Sequence, residues 1–163
     1  MTRLNDILSS ILRVLLTVLM GLLIVPVVLQ IASRFIPAMP HFIWTEEIAR
    51  FCFIWMIMIG ATLAVRDGAH FTLDLFARPG SVRGIAIGRL FAHGAMLIVA
   101  GIFVWFGYPF ARFGFVQHSE LTGLNMAAIH VAWPVAGVLI TLFLVEKIDA
   151  DLALLRKDRR GRP

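Results

Sequence analysis

Four long apolar runs, separated by short polar connections, constrain the fold of this chain more than any other feature. A helix that crosses the roughly 30 Å hydrocarbon core of a bilayer needs about 20 residues. Helices are expected because backbone polar groups in lipid must be satisfied within the segment. The runs predict an all-α membrane protein with four transmembrane helices, folded as one small bundle in a single domain. The predicted spans are residues 14–33, 44–65, 90–111 and 124–145.

Composition agrees with a location in the lipid bilayer. Hydrophobic residues make up 60% of the 163 residues, whereas soluble domains contain about 45–50% apolar residues. The net charge of +5 is carried by basic residues that flank the apolar runs, so membrane topology explains it better than binding to nucleic acid. The chain has one cysteine, Cys52, and therefore no internal disulfide.

The positions of the basic residues predict the orientation. Twelve of the fifteen Lys and Arg residues fall within residues 3–13, 66–89 and 147–162, which four spans place on one side of the membrane. By the positive-inside rule, both termini and a basic tail at residues 146–163 are expected in the cytoplasm. We expect the first run to be a retained helix rather than a signal peptide, because it is longer than a typical signal and no A-x-A-like site follows.

The stretch WTEEIARF, residues 44–51, places charges where the second apolar run begins. Glu46 lies four residues before Arg50 and Glu47 lies three before it, so either carboxylate is spaced to pair with the arginine. One interpretation is a charge cluster that anchors the helix end at the interface. The other is a buried ion pair that holds Arg50 about one turn into the membrane, where an unpaired arginine costs up to ~3 kcal/mol.

The second helix is predicted to have two unlike faces. At 100° per residue, Glu46 and Arg50 share a face that becomes small toward Gly60, and small residues let membrane helices approach closely. The opposite face is bulky and carries Trp44, Ile48, Phe51, Trp55, Met58 and Thr62.

A short amphipathic helix is predicted over residues 68–78, at the cytoplasmic interface. Its polar face includes His70 and Asp74, spaced i,i+4 so that they could hydrogen-bond, and it continues the polar face that begins at Arg66. One histidine and one carboxylate are too few for a metal site, so we expect a structural pair and no metal.

Together these residues resemble the small, DctQ-type membrane subunit of TRAP (tripartite ATP-independent periplasmic) transporters. The resemblance is closest over residues 44–76, and elsewhere it is one of hydropathy. The residues that match the family's spacing are Trp44, Glu47, Arg50, Gly60, His70 and Asp74. The structural or subunit-contact candidates are these six together with Glu46 and Arg66.

The resemblance implies a scaffold in the bacterial inner membrane, not an enzyme, with no catalytic residue and no cofactor. Its expected partners are a large DctM-type membrane subunit, a periplasmic substrate-binding protein and the lipid bilayer. The complex would carry out sodium-coupled transport of an organic acid of the dicarboxylate, keto acid or sugar acid class. In this reading Trp44, Glu47 and Arg50 make structural or subunit contacts, while His70 and Asp74 hold the interfacial helix.

The residues themselves favour an accessory role. Spans one and four contain no ionisable group except His130, whereas transporters bind their solutes near the membrane midplane. Two alternatives remain, namely the small subunit of a tripartite tricarboxylate transporter and the membrane anchor of a redox enzyme. Haem ligation by His93 and His130 is disfavoured because, at 1.5 Å per residue, their predicted depths differ by roughly 15 Å.

Overall fold

The computed structural model of the protein describes residues 2–36, 40, 42–68, 82–120 and 122–160. Four helical segments in this part of the chain are long and apolar enough to cross a membrane. The prediction of an all-α membrane protein with four transmembrane helices is therefore confirmed. The helices, in chain order, are α1 (Thr2–Phe35), α2 (Trp44–Asp67), α3 (Val82–Val116), α4 (Ala127–His130) and α5 (Ala132–Arg160).

All four long helices extend beyond the predicted spans, α2 by only two residues, to Asp67. α1 begins at Thr2 rather than at residue 14, α3 continues to Val116, and α5 runs on to Arg160 through the basic segment. The 35 residues of α3 are about 52 Å long at 1.5 Å per residue, against a hydrocarbon core of roughly 30 Å. The ends of α3 therefore project beyond the hydrocarbon core, or the helix crosses the core at a tilt.

α4 and α5 form one helix that is interrupted at Val131. Pro134 has no N–H to donate to the carbonyl of His130, so the helical hydrogen-bond ladder lacks one rung there. Val131 keeps right-handed helical angles, with φ −65° and ψ −21°, and its carbonyl accepts a 3.2 Å hydrogen bond from the N–H of Val135. The two segments therefore act as a single membrane crossing.

The long helices pack as an open row in the order α1, α2, α5, α3. Among the described residues, no Cα of α1 or α2 comes within 8 Å of a Cα of α3, although α2 contacts both α1 and α5. The four predicted helices are thus present. α1 also contacts α5, where Leu12 and Phe143 share one buried cluster, but α1 and α3 stay apart, so the small bundle expected from the sequence is open on that side. Lipid tails are as apolar as the side chains, so no hydrophobic force drives closure.

Glycines allow α3 to approach α4 and α5 closely. A Cβ added at Gly137 would lie 2.8 Å from the backbone oxygen of Ala100, and one added at Gly107 would lie 2.8 Å from Cδ of Pro134. Such small residues are typical of tight helix contacts in membranes. At this interface the backbones of the two neighbouring helices lie close together.

The helices of the row have two ends along their axes, and different segments of the chain lie at each. Near one end, Asn5 of α1 hydrogen-bonds to Glu146 of α5, so both termini of the described helices lie on that side, which we call the terminal end. The connection between α3 and α4, residues 117–126, lies at the opposite end, which we call the loop end.

Candidate functional site

The face of α2 that carries Glu46 and Arg50 is exposed in the row. Phe53 and Ile57 on the same face are also exposed, and a Cβ added at Gly60 would meet nothing within 4 Å. The opposite, bulky face is the one that packs against the other helices. These are the two faces that the helical periodicity separates in the sequence.

The packed face of α2 is held at the loop end by a tryptophan. Met58 and Thr62 on this face are buried, and the indole N–H of Trp55 donates a 2.8 Å hydrogen bond to the backbone oxygen of Ala128 in α4. The indole thus joins the second span to the start of the fourth. Trp44 is on the same side of the wheel but is exposed at the helix end, with its ring centroid 5.9 Å from that of Phe42.

Glu46 and Arg50 form an ion pair at 3.0 Å, with 67% of the Glu46 side chain and 58% of the Arg50 side chain exposed. Of the two interpretations made from the sequence, the buried pair is therefore not formed within this chain. In water such an exposed pair contributes about 0–1 kcal/mol. The ion pair is of interest because it lies on a membrane-spanning helix, not because of its contribution to stability.

Glu47 faces the interior instead. Its residue is 7% exposed, and its carboxylate lies beside the side chains of Ser119 and Thr122 in the loop-end connection, with Oε2 buried and without a hydrogen-bond partner among the described residues. Glu47 therefore ties α2 to a loop about 70 residues further along the chain. The sequence identified the residue but not these partners, because the loop carries no motif that points to α2.

The connection at residues 117–126 is itself compact. An antiparallel bridge joins His118 and Asn125, and Gly123 adopts φ 69°, a left-handed conformation that glycine tolerates without strain. The Asn125 side chain donates to the backbone oxygen of Phe115 at 3.1 Å and accepts from the N–H of Ala127 at 2.8 Å. These contacts hold residues 117–120 and 122–126 together at the loop end.

Arg66 connects three helices at the terminal end. Its guanidinium, with the side chain 18% exposed, pairs with Asp6 of α1 and with Glu146 of α5 at 3.3 Å. It also lies 5.6 Å from the centroid of the Phe143 ring, a distance typical of cation–π contacts. The sequence marked Arg66 as a structural candidate, but its partners were missed because they lie in distant helices.

Two further pairs stabilise the same end. Arg13 of α1 contacts Asp67 of α2 at 2.6 Å, and Nδ1 of His93 in α3 lies 2.8 Å from Oδ2 of Asp151 in α5. Each joins neighbouring helices of the row. Charged side chains near helix ends are common in membrane proteins because they can reach the aqueous interface.

No metal site is visible in the described part of the chain, where no three His, Cys, Asp or Glu side chains group together. His93 is engaged with Asp151, whereas the ring of His130 stacks on Phe110 with centroids 3.8 Å apart. The two histidines raised by the haem hypothesis therefore contact different partners.

The remaining candidates, His70 and Asp74, lie outside the described residues, as does the predicted interfacial helix beyond Gly68. Gly68 ends α2 with φ 74°, and its N–H donates to the backbone oxygen of Val65 at 3.4 Å. A left-handed glycine after the last helical turn is a common helix stop. The interfacial helix stays a prediction.

Comparison with protein families identifies the chain. Residues 23–153 match the family described as tripartite ATP-independent periplasmic transporters, DctQ component. The chain belongs to this family. It is thus the small permease subunit of a TRAP transporter, a multi-pass protein of the bacterial inner membrane, and the resemblance seen in the sequence is confirmed.

Several known TRAP proteins are similar to this DctQ subunit. The sialic acid TRAP transporter small permease protein SiaQ of Vibrio cholerae is 26% identical over 159 residues, covering 93% of this chain and 87% of that protein. A TRAP transporter small permease protein of Haemophilus influenzae is 24% identical over 108 residues, covering 66% of this chain and 67% of that protein.

A third relative has a different length. The sialic acid TRAP transporter permease protein SiaT of H. influenzae is 26% identical over 119 residues, which is 72% of this DctQ subunit but 19% of that protein. In that relative, a segment like this chain is part of a much longer permease polypeptide. Family membership also decides against the tricarboxylate and redox-anchor alternatives.

Proposed function

We propose that this DctQ subunit is a scaffold that braces a large DctM-type permease subunit and has no solute path of its own. One observation carries the proposal, namely that the middle of each span lacks Asp, Glu, Lys, Arg and His. The uncharged segments are residues 14–33, 51–65, 94–111 and 131–145. Secondary transporters place their solute and ion sites near the midplane, whereas the ionic contacts of this chain lie toward its two ends.

The open row supports a bracing role. The open arrangement leaves broad apolar faces, with large exposed side chains such as Phe91 and Trp105 on α3 and Val18 on α1. In a bilayer these faces can contact either lipid or another membrane protein at little cost. A row can therefore extend the surface of a larger subunit across the membrane.

The relatives support the choice of partners. In the H. influenzae permease SiaT, the segment similar to this chain shares one polypeptide with the remainder of that permease. We propose that here the corresponding large subunit is a separate chain, held by contacts within the membrane. A periplasmic substrate-binding protein would deliver the solute to the complex.

The proposed solute is an organic acid of the sugar acid class, transported with sodium. The V. cholerae relative is named for sialic acid, which belongs to this class. Selection among acids would reside in the large subunit and the binding protein, because this chain offers no charged group in the middle of its spans. Both termini would be cytoplasmic, as the distribution of basic residues predicts.

Uptake into proteoliposomes tests the proposal. Vesicles would contain the large subunit with this DctQ subunit, the large subunit alone, or this DctQ subunit alone, each with the transporter's binding protein outside. We expect sodium-driven uptake of labelled sialic acid only when both membrane subunits are present. Uptake by vesicles that contain this subunit alone would overturn the scaffold proposal, and so would full uptake by the large subunit alone.

A further inference from the structure

One face of α2 is largely exposed in the described chain, with Gly60 and Ala64 half-buried at its far end, and it carries an ion pair that an ordinary lipid-facing surface lacks. We call it the α2 stripe and define it by Glu46, Arg50, Phe53, Ile57, Gly60 and Ala64. These positions are alternately four and three residues apart, which is the spacing of a helix seam that faces a single other helix. The stripe follows α2 from the loop end toward the terminal end.

We infer that the α2 stripe is the docking face for a transmembrane helix of the large permease subunit. The inference rests on the proposed function, because it presupposes that such a subunit is the partner. The inference specifies which helix of this chain makes the contact. It also specifies which kinds of side chain the partner helix must present.

The charged end of the stripe points to a protein partner. Arg50 lies six residues into α2, about 9 Å below Trp44 at 1.5 Å per residue, and its pair with Glu46 is exposed. Ionised side chains in membrane segments generally face other protein or water-filled cavities rather than lipid. The pair is close to neutral overall, so it suits a partner helix with uncharged polar side chains such as Ser, Asn or Gln at that level.

The small end of the stripe is compatible with the same partner. Gly60 has nothing within 4 Å of an added Cβ, as is also true of Gly21, Gly88, Gly94 and Gly101, but Gly60 shares its helix face with the exposed ion pair. Packing within the described chain therefore does not require a glycine at residue 60. An open glycine, with Ala64 one turn further on, allows a second helix to approach α2 closely.

The large permease is the occupant that the relatives favour. In the SiaT permease of H. influenzae, the segment like this chain and the rest of the permease are joined covalently, so the two parts lie in the same membrane beside each other. Lipid and a second copy of this DctQ subunit are the other possible occupants, and crosslinking distinguishes all three.

The first experiment places a photo-crosslinking amino acid at one position of this subunit, co-expressed with its large permease in bacterial membranes. The test position is Ile57 in the stripe, and the controls are Val18 on α1 and Ile98 on α3, which are also exposed. Mass spectrometry identifies the crosslinked polypeptide. We expect the large permease to be captured from Ile57, with at least about a tenfold lower yield from each control.

The outcomes separate the inference from the proposed function. Capture of the permease from Val18 or Ile98, with only lipid or a second copy captured from Ile57, would overturn the docking face and leave the scaffold proposal standing. If no position captures the permease, both proposals fail.

A second experiment uses substitutions that the chain itself can accommodate. Gly60→Leu adds bulk where the chain has open space, so its thermal stability should be unchanged while co-purification with the large permease falls about tenfold. Gly101→Leu is the matched control, because a Cβ at Gly101 also meets nothing within 4 Å. Normal co-purification of Gly60→Leu, or an equal loss with Gly101→Leu, would overturn the inference.

Discussion

Glu46 and Glu47 are adjacent in the sequence, yet their carboxylates serve different parts of the protein. Glu46 pairs with Arg50 at 3.0 Å on the exposed face, whereas Glu47 lies beside Ser119 and Thr122 of the loop-end connection. One residue corresponds to a rotation of about 100° around an α-helix, so neighbouring side chains face different surroundings. The two adjacent glutamates thus make different contacts. One forms an ion pair on the exposed face of α2, and the other lies against the loop-end connection in the interior.

Glu47→Gln should loosen the connection at residues 117–126. The substitution keeps the shape of the side chain but replaces a charged acceptor, and hydrogen bonds to charged groups contribute about 1.5–3 kcal/mol against about 0.5–1.5 kcal/mol for neutral ones. We expect a loss of stability of about 1–2 kcal/mol and faster hydrogen–deuterium exchange in the loop. Glu46→Gln is the control, and equal exchange in the two variants would refute the assignment of Glu47.

Arg66→Ala should destabilise the contacts among α1, α2 and α5 at the terminal end. It leaves Glu146, whose side chain is 20% exposed, without its cation, and breaking a buried pair by removing one partner costs about 3–5 kcal/mol. Because this pair is partly exposed, we expect about 2–4 kcal/mol, measured by thermal unfolding in detergent micelles.

Arg13→Ala is the matched control for Arg66. Its ion pair with Asp67 is exposed, with side chains at 59% and 45%, so its removal should cost no more than about 1 kcal/mol. The double variant Arg66→Ala/Glu146→Gln should recover part of the loss, because it removes the uncompensated charge. If Arg66→Ala unfolds no earlier than Arg13→Ala, Arg66 does not hold the three helices together.

Gly137→Ala should force α3 and α5 apart. The new Cβ would lie 2.8 Å from the backbone oxygen of Ala100 and 2.8 Å from Cγ2 of Val104, and overpacking of this kind costs about 1–3 kcal/mol. The melting temperature of the purified subunit should fall accordingly. Gly101→Ala, on the open side of α3, should be neutral or slightly stabilising because alanine favours helix by about 1 kcal/mol; identical melting of the two variants would contradict the close approach.

Reporter fusions should place both termini in the cytoplasm. Twelve of the fifteen basic residues lie on the terminal side of the spans, and this bias sets orientation in bacterial membranes. A green fluorescent protein fused after residue 163 should fluoresce, and alkaline phosphatase fused after residue 120 should be active. An active phosphatase at the C-terminus would reverse the orientation.

Much of the fold was predictable because it depends on local properties of the chain. Hydropathy over about 20 residues defines a membrane helix, and the 3.6-residue period separates the packed face of α2 from the one with Glu46 and Arg50. Helix ends were less predictable. α1 begins at Thr2 and α3 continues to Val116, because a helix need not stop where the hydrocarbon does.

The sequence by itself determined the number of membrane helices, the two faces of α2 and the family, since each depends on residues close together in the chain. The tertiary structure alone decided the open row, the partners of Glu47 and Arg66, and the glycines that bring α3 to α5. Those contacts join residues far apart in the sequence. Lipid provides no hydrophobic force to select among helix arrangements, so close packing and polar pairing at the helix ends select this one.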